Sequence, residues 1–331
     1  MTGNAIKNNI DVVIPVYNGA KFILKALESV AQQSLAPNKI IVIDDGSTDN
    51  TNKLISEYIK NSKVVVQLVK KQNGGLSSAR NAGIRESTAE FVAFLDADDV
   101  WEKNKLEKQI GIYQKTEFKN LALVYCNYDV IDSNGIIKYK NYKAPLDKKR
   151  MRGMVFKKLL ERNQITSSGS GVLIKREIFN TVGLFDEKLR FAEDWDMWLR
   201  IAEKYEVDFV PETLVHIRKH DHNMTHSPLK TFENELVFYQ KWISNIDGRY
   251  QIPSLWSDKI TFRIISRLPK SDFIKILKEK ISEKYYKKLF RRTFGSLLLY
   301  VPIFFIRQIF NIMFYPKYLT IIIGYFRYTG R

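Results

Sequence analysis

The chain has 331 residues, long enough for one large domain or a domain with an appendage, and its 45% hydrophobic and 13% aromatic content is ample for a packed core. The single cysteine, Cys126, excludes an intramolecular disulfide and a Cys-rich zinc site, and fits a reducing compartment. The net charge of +17 is unevenly placed: residues 281–331 carry +8, nine basic side chains against Glu283, and the other 280 residues carry +9. Such an excess suits nucleic acid, an anionic membrane surface or anionic substrates, and the polarity of the neighbouring residues decides among them.

Residues 1–9 are polar and hold no apolar run that could serve as a signal peptide. Residues 11–15 are predicted as a first strand, and 20–33 as an amphipathic helix with Phe22, Ile23, Leu27 and Val30 on one face. A second strand is expected over 39–43, then a turn at Gly46-Ser-Thr-Asp49 that opens a helix over 50–60. A third strand over 64–69 precedes the Gly74-Gly75 break and a helix over 77–86, with further strands over 91–95 and 121–126. Repeated βα units predict an α/β fold with a right-handed, mostly parallel, Rossmann-like sheet and helices on both faces.

Beyond Asn127 the alternation loosens. Ser133-Asn-Gly135 signals a hairpin, and Ser167-Ser-Gly-Ser-Gly171 leads into a strand at 172–174. Residues 193–202 read as a helix, 207–210 as a strand, and 229–243 and 257–289 as helical. The last section differs. Over 293–331 the apolar runs, broken by Pro302, Arg307 and Lys317, never reach the roughly 20 residues that a spanning helix needs. Aliphatic and aromatic residues interspersed with Lys and Arg predict helices lying in an anionic membrane interface, or else a helical cap on the core or a re-entrant or spanning element.

The chemistry gathers behind the apolar strands. Asp44-Asp45 and Asp96-Ala97-Asp98-Asp99 directly follow the second and fourth of them, where open α/β sheets collect ligands. Carboxylates grouped there repel one another and cost desolvation, so a divalent cation, and with it a phosphate-bearing ligand, is the expected reason for them. Asp96 and Asp98, two apart on an extended segment, point to the same side; this suits a metal or ribose contact from Asp96 and a direct metal bond from Asp98. Asp99 with Glu102 also fits a helix capping box. Asp44-Asp45-Gly-Ser suits base and ribose recognition, or a tight turn bonding its own backbone. Glu193 and Asp194 open a helix, where unsatisfied N–H groups favour carboxylates; a carboxylate there could instead act as a general base. Trp195 and Trp198 could form a stacking wall for a sugar, or core. Of the four histidines, His222 and His226 read as ordinary surface-loop residues, whereas His220 could complete a metal shell with Asp98.

Taken together these stretches resemble glycosyltransferase family 2, of the GT-A fold. The matching segments are Val12-Val-Ile-Pro-Val-Tyr-Asn18, Ile41-Val-Ile-Asp-Asp-Gly-Ser-Thr-Asp49 and Asn73-Gly-Gly-Leu-Ser-Ser-Ala-Arg-Asn-Ala-Gly83. They continue with Phe94-Leu-Asp-Ala-Asp-Asp99, Glu193-Asp194 and Arg218-x-His220-x-x-Asn223-x-Thr225, in the family's order over about residues 10–226. The resemblance implies Pro15, Tyr17 and Asp45 at the nucleotide base, Asp96 and Asp98 as the DxD pair at ribose and metal, and Arg80 near the nucleotide. His220 would contact metal or diphosphate and Asp194 would be the catalytic base, with Glu193, Trp195 and Arg218 acceptor-side or supporting. It implies a metal-dependent (Mn²⁺ or Mg²⁺) inverting transfer of a hexosyl or N-acetylhexosaminyl group from a nucleotide-sugar, foremost a UDP-sugar. The acceptor would be a hydroxyl of a lipid-linked or cell-surface glycan.

The expected organisation is a GT-A domain over 1–240, with a nucleotide-sugar half at about 1–127 and an acceptor half at 128–240. A helical extension over 241–292 and the membrane-associating tail over 293–331 would follow, setting the protein peripherally on the cytoplasmic face of the inner or plasma membrane. Two alternatives compete. A sugar-nucleotide nucleotidyltransferase would favour a Gly-rich basic loop after the first strand, where Tyr17-Asn-Gly-Ala-Lys21 is sparse. A nucleic-acid-binding protein would interleave basic and aromatic residues over its folded surface; here the excess gathers in an aliphatic tail, and no nucleic-acid partner is expected.

Overall fold

The computed structural model describes residues 9–141, 151–161, 163–165 and 168–220, together with 237–238 and 241–242. The chain divides into two units, 1–244 and 245–331. The second lies outside the described residues, and with it the tail over 293–331 and the extension over 241–292, save Lys241 and Trp242. His222, Asn223, Thr225 and His226 also lie outside them.

The first third follows the expected alternation: β1 (Ile10–Val16), α1 (Ile23–Ala31), β2 (Lys39–Asp44), α2 (Thr51–Asn61), β3 (Val66–Lys70), α3 (Leu76–Glu86) and β4 (Phe91–Phe94). The chain continues with β5 (Val100–Trp101), α4 (Lys105–Lys115), β6 (Leu121–Ile131), β7 (Ile137–Tyr139), α5 (Phe156–Glu161) and a 3₁₀ turn, Gly169–Gly171. Then come β8 (Val172–Lys175), α6 (Ile178–Val182), α7 (Glu193–Lys204) and β9 (Glu206–Arg218). All nine described strands form one sheet, in the order β3-β2-β1-β4-β8-β6-β9-β5, with β7 paired to β6.

Helices cover both faces because side chains along a strand alternate. Val12, Ile14, Ile40 and Val42 pack with Ala26, Leu27 and Val30 of α1 and Ile55 of α2. Val13 points the other way, against Gly83 of α3, where a Cβ would stand 2.2 Å from Val13 Cγ1. Only glycine lets α3 lie this close.

The sheet is not mostly parallel. Pairs β1–β2, β1–β4, β2–β3 and β6–β9 are parallel, but β8 runs antiparallel between β4 and β6, and β5 and β7 are also antiparallel to their partners. Parallel neighbours need a crossover connection, usually helical, and the regular βα alternation that supplies one ends after β4. Strands β6 and β9 outrun the predicted 121–126 and 207–210. Each continues past its apolar run by pairing with the other through bulges at Cys126/Asn127 and Asn127/Tyr128, reaching Ile131↔Arg218. That extension carries Arg218 and His220 to the ligand edge. Among the described residues no helix is long and apolar enough to cross a membrane.

Candidate active site

Strands β1, β2 and β4 are parallel neighbours, so their carboxyl ends share one edge. At the end of β1, Tyr17 is 55% exposed, an aromatic face open to a ligand. Pro15 is buried within β1, where the pairing with β4 has already ended at Val13 and no N–H is required. Asn18 takes a left-handed conformation (φ 50°) and clasps the loop after β2: its side-chain oxygen accepts from the Thr48 N–H at 2.8 Å, and its own N–H donates to Ser47 Oγ at 2.9 Å.

The two aspartates after β2 divide their work. Asp44 accepts from the Ser47 N–H and from Asn52 Nδ2, the turn reading of this motif. Asp45 is 3% exposed and faces the Gly74-Gly75 break. Its Oδ1 accepts from Lys71 Nζ (2.5 Å) and the Gly74 N–H (2.9 Å), and its Oδ2 from the Gly75 N–H (2.7 Å). Asp45 thus shapes the loop that leads into α3.

After β4, the carboxylates are held from several directions. Asp96 accepts from Arg80 Nη2 and Ser168 Oγ, each at 2.8 Å. Asp99 forms no capping box with Glu102. It is buried and accepts from Ser170 Oγ (2.6 Å) and the Arg218 N–H (2.9 Å), with Ser168 Oγ 3.2 Å away, while α4 starts later, at Lys105. Burial, then Asp98 and Asp96, push its carboxyl well above the ordinary range. Ser168 and Ser170 are site residues that the sequence reading took only as a strand approach; the alternating Ser-Gly pattern was their one signal. Arg218 is buried, donates from Nε to the Asp98 carbonyl (2.9 Å), and lies over the Phe22 ring at 4.8 Å.

Asp98 Oδ2 and His220 Nε2 stand 3.0 Å apart, with the imidazole against Phe22. Burial, then the Asp96 charge, raises the Asp98 carboxyl above its ordinary value, and the His220 contact opposes this. Among the described residues no group of three or more His, Cys, Asp or Glu forms a metal cage. One carboxylate oxygen and one imidazole nitrogen converging here fit a divalent cation that takes its remaining ligands from a diphosphate and water.

Arg80 joins this edge to the second half of the domain. The side chain is 1% exposed; Nη2 binds Asp96 and Nη1 binds Glu193 Oε1, both at 2.8 Å, and the guanidinium lies 5.4 Å from the centre of the Phe185 ring. Burial opposes its charge, but the two carboxylates outweigh that and raise its pKa. Glu193 opens α7, and Asp194 beside it is buried, with Oδ1 accepting from the Trp195 N–H at 2.6 Å. Burial, then Glu193, pushes the Asp194 carboxyl up to about 7, against the lowering effect of Arg80. Trp195 is core: Nε1 donates to the Leu159 carbonyl at 2.8 Å and the ring stacks on Phe238 at 4.7 Å. Trp198 is fully buried as well. Neither offers a wall to a sugar. A small cleft of about 30 Å³ lies between the start of α3 and Glu193, lined in part by Gly75, Ser77, Glu187 and Arg190.

The pattern described as Glycosyl transferase family 2 matches residues 11–183. An uncharacterised glycosyltransferase of Rickettsia typhi is 32% identical over 76% of this chain and 77% of its own length. The chain belongs to glycosyltransferase family 2, and is a glycosyltransferase. An Escherichia coli relative, the UDP-Glc:alpha-D-GlcNAc-diphosphoundecaprenol beta-1,3-glucosyltransferase WfgD, is 30% identical over 59% of this chain and 70% of its own. TarS of S. aureus (residues 1–349), in complex with UDP-GlcNAc, superposes with a TM-score of 0.55 over 88% of this chain and 81% of that structure, at 18% identity. That likeness establishes a GT-A-like fold.

Proposed function

We propose that the protein transfers a sugar from a UDP-sugar to a hydroxyl of a lipid-linked glycan in a single inverting displacement, with Asp194 as the general base. The observation that carries this reading is the Arg80 bridge. One buried guanidinium binds Asp96 on the nucleotide side and Glu193 beside Asp194, so a donor held at the end of β4 would have the base fixed next to it. The name of the E. coli relative supports a UDP-sugar donor and a lipid-diphosphate acceptor.

Tyr17 would stack on the base, and Asp45 would accept from a ring N–H of uracil. Asp98 and His220 would hold Mn²⁺ or Mg²⁺, which when bound neutralises charge on the departing diphosphate. Asp194 would take the proton from the acceptor hydroxyl, and a carboxyl pushed up to about 7 is matched to that task near neutral pH. Orientation of two substrates by a rigid site would supply much of the rate. The basic tail over 293–331 would keep the enzyme peripheral at the cytoplasmic face of the membrane that carries its acceptor.

The test is Asp194→Asn. Turnover should fall by roughly a thousandfold or more, the scale of a lost general base, while UDP binding measured by calorimetry stays within about twofold. Weakened UDP binding would instead move Asp194 into the nucleotide site. In the unsubstituted enzyme, kcat/KM should fall as the pH drops below about 7, as the Asp194 carboxylate takes up its proton. A flat profile through that range would remove Asp194 as the base.

A further inference from the structure

The β6–β7 hairpin exposes three large apolar side chains: Ile136 in the turn is 58% exposed, and Ile137 and Tyr139 on β7 are 42% and 57% exposed. Exposed hydrophobic residues scattered singly are ordinary, but a contiguous group marks a contact surface. The turn that presents them is held firmly. Asp132 Oδ1 accepts from the Asn134 and Ile136 N–H groups, and Gly135, at φ +90°, donates to the Asp132 carbonyl. Basic residues alternate with the apolar ones: Lys138, which also reaches Asp132 Oδ2 at 3.0 Å, and Lys140.

This hairpin is tied directly to the site. Arg218 donates from Nη1 to the carbonyls of Asp132 (2.8 Å) and Ser133 (3.3 Å), and from Nε to the carbonyl of Asp98. A single buried guanidinium therefore holds both the base of the hairpin and the segment carrying Asp98.

We propose that the β6–β7 hairpin, through Ile136 at its turn and Ile137 and Tyr139 on one face of β7, seats on an anionic lipid surface, placing the edge of the site at Asp98 and His220 beside the bilayer. Isoleucine and tyrosine tips would enter the headgroup–acyl boundary while the lysine ammonium groups stay among lipid phosphates. A nucleic acid would satisfy the lysines and leave the two isoleucines in water. The proposal rests on the lipid-linked acceptor reading for its purpose, since an acceptor anchored in a membrane must meet the catalytic domain at the surface. It places that contact within the catalytic domain, apart from the tail.

The full chain carrying Ile137→Cys, labelled there with a polarity-sensitive fluorophore, tests it; Cys126 is buried and would stay unlabelled. Emission should shift to the blue on phosphatidylglycerol-containing vesicles, not on phosphatidylcholine alone, and the shift should fade with added salt. Combining Ile136→Ser with Lys138→Gln and Lys140→Gln in the labelled chain should weaken the vesicle-induced shift roughly tenfold or more, with UDP binding unchanged. Vesicle pelleting without any emission shift would overturn the proposal, because another surface would be making the contact. An equal shift on an RNA oligonucleotide would overturn it in favour of nucleic acid. UDP binding by the unsubstituted chain is measured separately: its absence would sink the glycosyltransfer reading and leave the vesicle result to stand by itself.

Discussion

Asp194 and Arg80 set the balance of charge at the centre of the site, and each makes a stability prediction. The Asp194 carboxyl titrates near 7 in the folded protein against an ordinary 3.8. The native state therefore holds a proton that the unfolded chain has released between those values. The stability from that proton is fully present below pH 3.8 and is lost as the pH rises through 7. Asp194→Asn has no such proton to lose. Its melting temperature should match the parent near pH 4, rise progressively above it towards pH 7, and hold a constant lead beyond. A lead that appears only below pH 5 would contradict the raised pKa. Arg80 acts in the opposite sense. Removing it strands two largely buried carboxylates, and Arg80→Met should cost about 3–5 kcal/mol in urea denaturation. Arg80→Lys keeps the charge but loses the fork that reaches Asp96 and Glu193 together, so it should fold and turn over poorly. If Arg80→Lys behaves like the parent in both respects, the guanidinium is not the brace its geometry describes.

Elements carry these residues into place, and α7 does so from a strained start. Ala192 adopts a left-handed conformation (φ 57°) immediately before Glu193, and its carbonyl accepts from the Asp196 N–H. A non-glycine residue there costs about 1 kcal/mol, and the strain persists because α7 is anchored on its other sides. Asp196 is fully buried and binds Arg200 one turn on, Trp242 Nε1 at 3.0 Å and Lys241 Nζ at 2.8 Å. Ala192→Gly should raise stability by about 0.5–1 kcal/mol while lowering kcat, since the turn that aims Asp194 would loosen. A loss of stability of that size would show that the left-handed turn is not a source of strain. Which elements could be read from sequence follows the same physics. Strands β1, β2 and β4 are short apolar runs buried on both faces, so composition alone reveals them. The sequence pattern reveals only the first six of eleven residues of β6 and four of thirteen of β9. Asn127, Asp129, Pro211 and Glu212 interrupt the apolar pattern, and the pairing that carries the strands past them is a long-range fact.

At the scale of the molecule, the candidate site residues stand out as motifs in the sequence, but their relations do not. Nothing local says that Arg80 spans 113 positions to Glu193, that Ser168 and Ser170 close over Asp96 and Asp99, or that Trp195 turns inward. The charge distribution, by contrast, is visible at once in the sequence and leads to a further prediction. Residues 281–331 carry +8 and the stretch from 136 to 150 carries six basic residues against one acid. Both would meet an anionic bilayer through attractions that fade over about 8 Å at physiological salt. Each basic side chain near such a surface contributes about 1 kcal/mol. Deleting 293–331 removes Arg307, Lys317, Arg327 and Arg331 with the apolar residues between them, so affinity for phosphatidylglycerol vesicles should fall by at least a hundredfold in cosedimentation. UDP binding should survive, because every described site residue lies in the unit spanning 1–244. The remaining vesicle binding should be more salt-sensitive than that of the full chain, since the lost segment would supply most of the apolar anchoring and the deletion leaves five basic residues over 284–292 and the lysines of the hairpin. Cosedimentation unchanged by the deletion would assign membrane attachment to residues 1–292.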